Sequence, residues 1–388
     1  MSKLSFMEKL LDGVEVEWRA LGDVLVRTKG TKITAGQMKE LHRDGAPLKI
    51  FAGGKTIAFV DFEDIPAKNI NREPSIIVKS RGVIEFEYYE KPFSHKNEMW
   101  SYHSKDDDIN IKYVYHFLKL NEPHFQNLGS RMQMPQIATP DTDKFKIPIP
   151  CPDNPKKSLE IQAEIVRILD SFTELTAELT AELTAELNKR KKQYNFYREQ
   201  LLSFEEVEWK RLGEVAKIGT GSHDTQDAIE DGDYIFYARG REPLRLNVFD
   251  FDETAIITAG DGAGVGKVFH YAQGKYALHQ RAYRIAPSEV MEPRFVYHCI
   301  AAHFYAYIQK ASVSSSVTSL RRPMFLNFPI PVPSLEEQAR IVAILDKFDT
   351  LTHSISEGLP REIALRQKQY EYYRDLLLSF PKPKKVTA

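Results

Sequence analysis

The chain has 388 residues, which is too long for one ordinary core and predicts two domains. Its 42% hydrophobic and 11% aromatic residues are typical of folded globular proteins and exclude general disorder. Cys151 and Cys299 are too few for a disulfide framework and fit a reducing cytosol. No run approaches about 18 uncharged apolar residues, and the N-terminus lacks an apolar signal region, so neither a membrane span nor a secretory signal is predicted. The net charge of −1 is unusual for a DNA-binding protein, whose surface is normally basic.

One long segment of the chain occurs twice. SLEIQAEIVRILDSFTELT (158–176) and SLEEQARIVAILDKFDTLT (334–352) are identical at most positions, and RKKQYNFYREQLLSF (190–204) matches RQKQYEYYRDLLLSF (366–380). Both matches have an offset of 176 residues, so the two copies of this conserved segment are each 47 residues long. Repetition on this scale predicts two copies of one structural unit.

The repetition extends to the parts of the chain that precede each conserved segment. VEWRALGDV (16–24) matches VEWKRLGEV (207–215), while the interiors of the two variable regions are only weakly similar. FMEKLLDGVEVEW near the N-terminus resembles YREQLLSFEEVEW, which indicates a cyclic arrangement opened at one point. We therefore predict a pseudo-twofold object with neighbouring termini. The predicted order is a short N-terminal helical segment that completes the cycle (1–13), a first variable region (14–157), a central conserved helix (158–204), a second variable region (205–333), a C-terminal conserved helix (334–380) and a tail (381–388).

The first conserved segment is predicted to be one long helix. Its apolar residues recur at alternating steps of four and three, which is typical of a coiled-coil seam. Asn154 and Ser158 are both suitable N-caps. A helix of this length spans roughly 70 Å. The predicted seam residues are Ile161, Ile165, Ile168, Phe172, Leu175, Leu179, Leu183 and Leu187, with Ile341 and Phe348 in the second copy.

Residues 176–187 consist of the unit TAEL written three times. The steps of four between its leucines are stutters, which locally unwind a left-handed supercoil. Each unit adds about 6 Å and rotates the rest of the helix by about 40°, so the repeat can set a distance and a phase. Periodicity alone leaves open a tandem insertion that the helix merely tolerates. In the second copy, Gly358 and Pro360 predict a kink or break, and the two long helices are expected to pack antiparallel.

A SLEEQARIVAILDKF helix that follows a Pro-Ile-Pro run, present twice, resembles the specificity subunits of type I restriction–modification systems. EWKRLGEVAKIGTGS (208–222), which opens the second variable region, is similar to the same family. The TAEL repeats in the central helix resemble those of a subgroup of this family, in which the number of repeats sets the gap between two half-sites. The resemblance covers essentially the whole chain. It implies an α+β protein in which two α/β target-recognition domains are separated by an antiparallel pair of long coiled-coil helices.

The resemblance also implies a non-catalytic subunit in the bacterial cytoplasm that recognises a bipartite site on double-stranded DNA. Two adenine methyltransferase subunits would bind to it, and ATP-dependent restriction subunits would join that core. S-adenosylmethionine, ATP and Mg are expected on the partner subunits, and no cofactor on this chain. The variable regions carry 22 basic and 20 acidic residues (14–157) and 14 and 16 (205–333). Partners that surround the DNA would supply the phosphate contacts and leave base recognition to this chain.

In the first variable region, RTKGTK (27–32) and VKSRG (78–82) are the best candidates for basic loops that contact DNA. KPFSHKNEMWSYHSK (91–105) mixes basic with aromatic residues, as groove-facing loops do. A core of paired aromatic residues under a charged surface explains that segment equally well. The candidate DNA contacts of this region are Lys29, Lys32, Lys79, Arg81 and Lys96.

In the second variable region, YARGREPLR (237–245) places three arginines on a glycine-containing loop. Arginine forks recognise guanine in the major groove, and a solvated turn is the alternative. GDGAGVGKVFHY (260–271) fits neither phosphate-binding glycine motif and predicts a tight hairpin with a lysine near phosphate. The candidate contacts of these two segments are Arg239, Arg241, Arg245 and Lys267.

Two further segments of this region carry candidate contacts. LHQRAYR (278–284) alternates as a strand does, so His279 and Arg281 are expected on one face and Gln280 on the other. Glutamine suits adenine and arginine suits guanine, although such residues can equally face water. SVSSSVTSLRRP (312–323) is predicted to be a polar loop that either contacts the DNA backbone or caps the next element. The candidates are His279, Gln280, Arg281, Arg321 and Arg322.

The sequence contains neither an Asn-Pro-Pro-Tyr-like methyltransferase motif nor a Walker loop, so no catalytic residue is predicted. His95, His103 and His116 lie near acidic residues but lack the spacing of metal ligands, so no metal site is predicted. A coiled-coil scaffold with two protein-binding heads and no DNA specificity is the alternative from another class.

Overall fold

The computed structural model describes residues 6–54, 56–105, 108–130, 133–311, 319–354 and 357–381. The chain forms two compact units. Unit 1 comprises Met1–Thr180 with Ala364–Ala388, and unit 2 comprises Ala181–Ile363. Among the helices of the described residues, none is both long enough and apolar enough to cross a membrane.

Unit 1 contains the first variable region. Its larger sheet has the order β2-β8-β5-β6 and is antiparallel, its smaller sheet has the order β4-β3-β7 with β3 and β7 parallel, and β1 pairs with β9. The helices are α1 (Phe6–Leu11), α2 (Leu21–Val24), α3 (Ala35–Leu41), α4 (Ile111–Leu120), α5 (Glu122–Gly129) and α6 (Thr139–Asp143). The strands are β1 (Val16–Ala20), β2 (Leu25–Lys29), β3 (Leu48–Phe51), β4 (Ile57–Val60), β5 (Ser75–Lys79), β6 (Glu85–Tyr89), β7 (Phe93–His95), β8 (Trp100–Ser104) and β9 (Lys146–Pro150).

Unit 2 contains the second variable region and repeats this topology. Its sheets have the orders β11-β18-β15-β16 and β13-β12-β17-β14, with β12 and β17 parallel, and β10 pairs with β19. Helix α7 (Pro155–Leu201) precedes the second variable region, and its residues from Ala181 onward belong to unit 2. The later helices of unit 2 include α8 (Leu212–Val215), α9 (Pro293–Ala311), α10 (Arg322–Leu326) and α11 (Leu335–His353). The strands are β10 (Trp209–Arg211), β11 (Ala216–Thr220), β12 (Tyr234–Tyr237), β13 (Leu244–Leu246), β14 (Phe251–Asp252), β15 (Ala255–Ala259), β16 (Phe269–Ala272), β17 (Lys275–Leu278), β18 (Ala282–Pro287) and β19 (Pro329–Pro331).

Each unit has three layers, namely a helix, the larger sheet and the smaller sheet. The central strand β5 (SIIVK) is buried along its whole length, because it is paired on both sides and covered on both faces. Ile76 and Val78 pack in the same core as α4, whereas Ile77 packs with Phe51 and Phe93 of the smaller sheet. Strand β15 (AIITA) is buried in the same way in unit 2. The weakly similar variable regions therefore adopt one fold, as the sequence predicted.

The two conserved VEW segments and the two Pro-Ile-Pro runs form equivalent two-stranded ribbons. Trp18 lies opposite Pro148 in one ribbon, and Trp209 lies opposite Pro331 in the other. Proline has no backbone N–H to donate, so such a run is confined to an edge position. These ribbons bring the beginning and the end of each variable region together, immediately before the long helices begin.

Helix α7 is continuous over 47 residues and includes all three TAEL units, so the prediction of a long central helix is confirmed. It begins at Pro155, three residues before the predicted start. Asn154 is the N-cap, because its side-chain oxygen accepts a hydrogen bond from the Lys157 N–H at 3.1 Å. Ser158 is buried inside the first turns and accepts a hydrogen bond from the Gln162 amide at 3.0 Å.

The predicted seam of α7 needs a correction. Ile161 and Ile165 are buried, but they belong to the core of unit 1, and Leu175 is 50% exposed. The partly or fully buried stripe runs instead through Ile165, Leu169, Phe172 and Thr176. The stripe uses Leu169 and Thr176 in place of Ile168 and Leu175, one residue further along the helix in each case, so Leu175 faces solvent. Ile168, Leu179, Leu183 and Leu187 are half-buried, as is Phe348, and Ile341 is buried in the core of unit 2.

The second conserved segment is broken, as predicted. Helix α11 ends at His353, and α12 (Gly358–Leu377) begins five residues later. Gly358 has a φ of +78°, and a β-carbon there would meet the carbonyl oxygens of Thr350 and Leu351. Glycine is therefore required at this position.

An equivalent aromatic contact between conserved helices occurs in each unit. In unit 1, Phe172 of α7 stacks on Tyr373 of α12 with ring centroids 5.3 Å apart. In unit 2, Phe348 of α11 stacks on Tyr197 of α7 at 5.5 Å. Phe172 and Phe348, like Tyr197 and Tyr373, are separated by the repeat offset of 176 residues. The tail of each conserved segment thus packs against the beginning of the other.

A buried glutamine at the beginning of each conserved helix binds the backbone of its variable region. The Gln162 side-chain oxygen accepts from the Asn110 N–H at 2.9 Å, and the Gln338 oxygen accepts from the Glu292 N–H at 2.7 Å. The Gln338 amide also donates to the carbonyls of Val290 (3.1 Å) and Pro333 (2.9 Å). Both side chains are fully buried, so these hydrogen bonds fix the direction in which each helix leaves the variable region.

About two turns further along each helix, an aspartate binds a histidine and a cation of the variable region. Asp170 accepts from His116 at 3.1 Å and Lys112 at 2.7 Å, and Asp346 accepts from His298 at 2.7 Å and Arg294 at 2.8 Å. Burial opposes ionisation of Asp346, but hydrogen bonds from His298 and Arg294 outweigh it and lower the pKa of Asp346. The two joints between helix and variable region therefore use the same chemistry.

Gly30 and Gly221 occupy equivalent positions just after β2 and β11. A β-carbon on Gly30 would overlap the backbone of His95 and Lys96, and a β-carbon on Gly221 would overlap the backbone of Leu278. These close approaches connect the first strand of the larger sheet to the end of a strand of the smaller sheet. Glycine permits them because it has no side chain.

We expect Gly30→Ala and Gly221→Ala to lower the free energy of unfolding by about 1–3 kcal/mol, because backbone atoms must move to accept the methyl group. Urea unfolding followed by tryptophan fluorescence measures this change. Gly36→Ala is the matched control: Gly36 lies in α3 with open space around it, so alanine there should leave stability unchanged or raise it slightly. If Gly30→Ala and Gly36→Ala changed the free energy of unfolding equally, the close approach of backbone atoms to Gly30 would not explain the need for glycine there.

Candidate nucleic-acid interface

In unit 2, Arg239, Gln280 and Arg281 meet at one corner of the fold, where β17 turns into β18. Leu278 ends β17 and Ala282 begins β18, so residues 279–281 form a turn. The expectation that this segment alternates as a strand is wrong, because β17 and β18 belong to different sheets and the chain must turn between them. Arg239 follows β12, the neighbour of β17 in the smaller sheet.

One carboxylate binds both arginines of this corner. The Asp261 oxygens accept from the Arg239 Nη1 at 3.0 Å and from the Arg281 Nη1 at 3.2 Å. Burial would raise the pKa of Asp261, but these two hydrogen bonds outweigh it and lower the pKa, so the carboxylate stays charged. The side chains of Arg239 and Arg281 are more exposed than that of the acid between them, at 42% and 64% against 25%.

A second carboxylate binds the glutamine of the same turn. The Gln280 Nε2 donates to an Asp224 oxygen at 3.0 Å, and this hydrogen bond is the main cause that lowers the pKa of Asp224. His279 is a correction to the predicted contacts, because it is buried, with 1% of its surface exposed. Its Nδ1 accepts from the Arg281 N–H at 2.9 Å, so the ring shapes the turn from beneath.

The equivalent corner of unit 1 carries the opposite arrangement of charge. In the sheet registers, Val78 pairs with Trp100 as Thr258 pairs with Tyr283. By this equivalence, Arg81 occupies the position of Asp261. Glu98 likewise occupies the position of Arg281, two residues before the paired aromatic residue.

Glu98 of this corner binds Lys96, whose Nζ lies 2.8 Å from the carboxylate. Burial opposes ionisation of Glu98, but the hydrogen bond from Lys96 and the nearby Arg81 lower the pKa of Glu98. Each corner therefore has an ionised acid at one of these two equivalent positions and a cation at the other, and the acid and the cation have exchanged places.

The first of the two predicted basic loops of unit 1 is in part a strand. Lys29 ends β2, and Lys32 lies three residues beyond it; both side chains are exposed and line a cleft of about 790 Å³. Lys68, Asn69 and Gln37 line the same cleft, which lies beside the helix α3. Cationic and amide groups share this cleft, and such groups bind phosphates and base edges.

Lys79 is also a correction, because it ends strand β5 and is buried rather than lying on a loop. Its Nζ binds Glu85 at 2.6 Å and Glu87 at 2.9 Å. Burial would lower the pKa of Lys79, but these two carboxylates outweigh it and raise the pKa. Buried aromatic residues also account for the segment 91–105, since Phe93, Trp100 and Tyr102 lie in the cores of unit 1.

Three further candidates of unit 2 lie outside the turn formed by residues 279–281. Arg241 and Lys267 are exposed and line a cleft of about 680 Å³ with Arg198, and the Lys267 Nζ lies 5.2 Å from the Tyr305 ring. The predicted tight hairpin is wrong in length, because nine residues connect β15 to β16. Arg245 lies in β13 and donates to the Gly232 carbonyl at 2.9 Å.

Arg321 and Arg322 are exposed at the beginning of α10. Residues 312–318 of the predicted polar loop lie outside the described residues. Within the part of the chain that the structure describes, no group of three histidine, cysteine or acidic side chains is arranged to bind a metal ion.

Sequence reasoning missed the acidic residues of the two corners. Asp224 and Asp261 lie far along the chain from the side chains that they bind. Glu98 lies close to Lys96 within the segment 91–105, but only the basic and aromatic residues of that segment indicated DNA binding. Basic residues are the ones that a sequence pattern connects with DNA, because DNA is anionic. An acid that positions a base-recognising side chain carries no such sequence signal.

Comparison with known proteins gives one consistent result. Residues 14–189 and 205–365 match the family model of the type I restriction modification DNA specificity domain. The type I restriction enzyme EcoR124I/EcoR124II specificity subunit of Escherichia coli is 41% identical over 422 aligned positions that cover all of both chains. The EcoprrI specificity subunit of the same species is 35% identical over 92% of this chain and 93% of that relative.

Solved structures agree at the level of the fold. The S subunit of a type I restriction-modification system from M. genitalium matches with a TM-score of 0.55 at 17% identity, covering 96% of this chain and 98% of that chain. A chain from a study of complex assembly and conformational transition of the type I R-M system matches with a TM-score of 0.60 at 14% identity, covering 94% and 97%.

We expect Lys79→Ala to lower the free energy of unfolding by about 1–3 kcal/mol, because it removes the buried cation that Glu85 and Glu87 share and leaves Glu87 only its longer contact with Lys49 at 3.3 Å. Lys32→Ala is the control, because it makes the same substitution at an exposed site. It should alter the free energy of unfolding by less than about 0.5 kcal/mol. Urea unfolding of both variants at neutral pH measures the difference. A Lys79 variant as stable as the Lys32 variant would show that the buried ion pairs do not stabilise unit 1.

Proposed function

The chain belongs to the family of type I restriction–modification DNA specificity domains, and from this membership we propose that it is the sequence-specific DNA-binding subunit of a type I restriction–modification complex. Each unit recognises one half of a bipartite, asymmetric site on double-stranded DNA. The observation that carries this proposal is the pair of equivalent corners, which share a backbone but present different hydrogen-bonding groups. One fold with two different corners is what recognition of two different half-sites requires.

The conserved helices set the gap between the half-sites. We propose that α7 packs antiparallel with the second conserved segment as a coiled coil, in a pseudo-twofold cyclic arrangement of the two units. The recurrence of the Phe–Tyr stack at the repeat offset supports this arrangement, since each stack joins the tail of one conserved segment to the beginning of the other. The continuous helix through the TAEL units supports membership of the subgroup in which repeat number sets the gap.

Catalysis belongs to partner subunits in this proposal. Two adenine methyltransferase subunits bind the specificity subunit, and ATP-dependent restriction subunits join that core in the bacterial cytoplasm. S-adenosylmethionine, ATP and Mg bind to those partners. The net charge of −1 supports this assignment, because a chain without a positive net charge binds DNA more tightly when partners neutralise phosphates. The exposed acids in and just before the TAEL units, such as Glu174, Glu178 and Glu182, give the helix a face open to a basic partner surface.

Long-read mapping of N6-methyladenine in cells that carry the complete system tests the proposal. The expected result is one bipartite motif, two defined half-sites separated by a gap of fixed length. Loss of this chain should abolish methylation at that motif. A coiled-coil scaffold without DNA specificity would instead leave methylation unchanged, and an electrophoretic shift with the methyltransferase added would show no sequence preference.

Deletion of one TAEL unit should shorten the gap by one or two base pairs and leave both half-sites unchanged. The physical reason is that four residues of helix span about 6 Å, whereas one base pair of DNA spans about 3.4 Å. Methylome mapping of the deletion variant measures the gap. The double substitution Glu178→Gln and Glu182→Gln is the control, because it changes the charge of the repeat but not its length. The gap between the half-sites should stay the same in this variant. Altered half-sites at an unchanged gap would rule out the spacing role.

A further inference from the structure

We infer that the corner of unit 2 recognises a guanine through Arg281 and a neighbouring adenine through Gln280, with Asp261 and Asp224 as positioning residues. The inference rests on the proposed function and specifies the bases that unit 2 contacts. It assigns a role to two acids that would otherwise disfavour DNA binding, since both lie beside the exposed side chains of the turn.

The hydrogen bonds of Arg281 leave the correct donors free for guanine. Arg281 donates to Asp261 through Nη1 alone, so Nη2 and Nε keep hydrogens that can point outward. Guanine offers two acceptors, O6 and N7, on its major-groove edge, and a planar fork of two donors matches them. Because 64% of the Arg281 side chain is exposed and only 25% of Asp261 is, the fork extends beyond the carboxylate that orients it.

Arg239 completes the arrangement by binding the second oxygen of Asp261 at 3.0 Å. The two cations offset the charges of Asp261 and Asp224, so these four side chains sum to zero and the acids do not make the corner negative. The arrangement also keeps Asp261 ionised, which fixes both guanidinium groups before any DNA arrives. Such preorganisation reduces the entropy lost on binding.

Gln280 is oriented in the same manner for adenine. One hydrogen of its amide nitrogen goes to Asp224, at 3.0 Å, which leaves the second amide hydrogen and the side-chain oxygen free. Adenine offers an acceptor at N7 and a donor at N6, and a glutamine amide matches this pair. The carboxylate of Asp224 can only accept, so it also determines which end of the amide is the nitrogen.

The turn that carries Gln280 and Arg281 is held by its backbone. The Gln280 N–H donates to the His223 carbonyl at 2.9 Å, and the Arg281 carbonyl accepts from the Gly260 N–H at 2.8 Å. His279 is buried beneath and binds the Arg281 N–H. A fixed backbone places the two side chains at a constant separation, as recognition of two neighbouring base pairs requires.

The equivalent corner of unit 1 supports the assignment by contrast. It presents the carboxylate Glu98 where unit 2 presents Arg281, and Arg81 where unit 2 presents Asp261. A carboxylate accepts hydrogen bonds and cannot recognise the acceptor edge of guanine. The two corners must therefore prefer different bases, although their backbones are equivalent.

Methylation assays with the assembled complex test the inference. Duplexes carrying every single substitution in the half-site of unit 2 would be compared with the fully matched site, for the wild type and for Arg281→Ala, Arg281→Lys, Gln280→Ala, Asp261→Asn and the control Asp252→Asn. Asp252 is an exposed acid on β14, so its variant makes the same change of charge away from the corner.

We expect Arg281→Ala to reduce discrimination at one guanine of that half-site by roughly 5- to 150-fold, the range that a bidentate contact supplies. Gln280→Ala should do the same at a neighbouring adenine. Arg281→Lys keeps the charge but loses the planar fork, so discrimination at the guanine should fall in this variant as well. Asp261→Asn should weaken discrimination at the guanine, and Asp252→Asn should change none of these ratios. Discrimination in the other half-site should not change.

Three outcomes would overturn the inference. Ratios within about twofold of the wild type in Arg281→Ala, Arg281→Lys and Gln280→Ala would exclude the corner from base recognition. A loss in Arg281→Ala without any change in Asp261→Asn would exclude Asp261 as a positioning residue. A wild-type complex that methylates no bipartite site would overturn the proposed function itself, a result that the first two outcomes cannot produce.

Discussion

The rigid joint between each variable region and its conserved helix is the constraint on which the rest of the structure depends. A buried glutamine binds the backbone of the variable region, and an aspartate further along the helix binds a histidine and a cation. A helix can set the distance between two recognition surfaces only if its ends are fixed to them. Because the two glutamines and the two histidines are buried, any change in helix direction would leave them without partners, at a cost of about 1–3 kcal/mol each.

The equivalent corners of the two units combine a constrained backbone with side chains that differ between the units. Both are turns between the smaller and the larger sheet, and in both the close approach of strands depends on a glycine after the first strand, Gly30 or Gly221. The backbone is therefore constrained, while side chains at the turn are free to differ. Exchange of an acid and a cation between equivalent positions changes the hydrogen-bonding pattern without changing the fold. This separation explains how one topology can serve two unlike half-sites.

Sequence reasoning succeeded where the signal was local or repeated. The long helix, the break at Gly358 and the shared topology of the two variable regions all followed from periodicity, backbone chemistry and internal repetition. It failed where position depends on the fold. Lys79 and His279 suggested DNA contacts because of residue type, yet both are buried. Leu175 was predicted to lie in the seam but is exposed, because Phe172 and Thr176 occupy the partly buried side of α7 there.

The sequence by itself determined the family, the duplication and the helical character of the TAEL repeat, since each is written in the order and spacing of residues. Only the tertiary structure decided which polar residues meet at each corner. Asp261 lies 20 residues from Arg281 and 22 from Arg239 along the chain, and Asp224 lies 56 residues from Gln280. These pairs form because strands of two sheets end at the same place, and the packing of sheets follows from the burial of the whole core rather than from any local pattern.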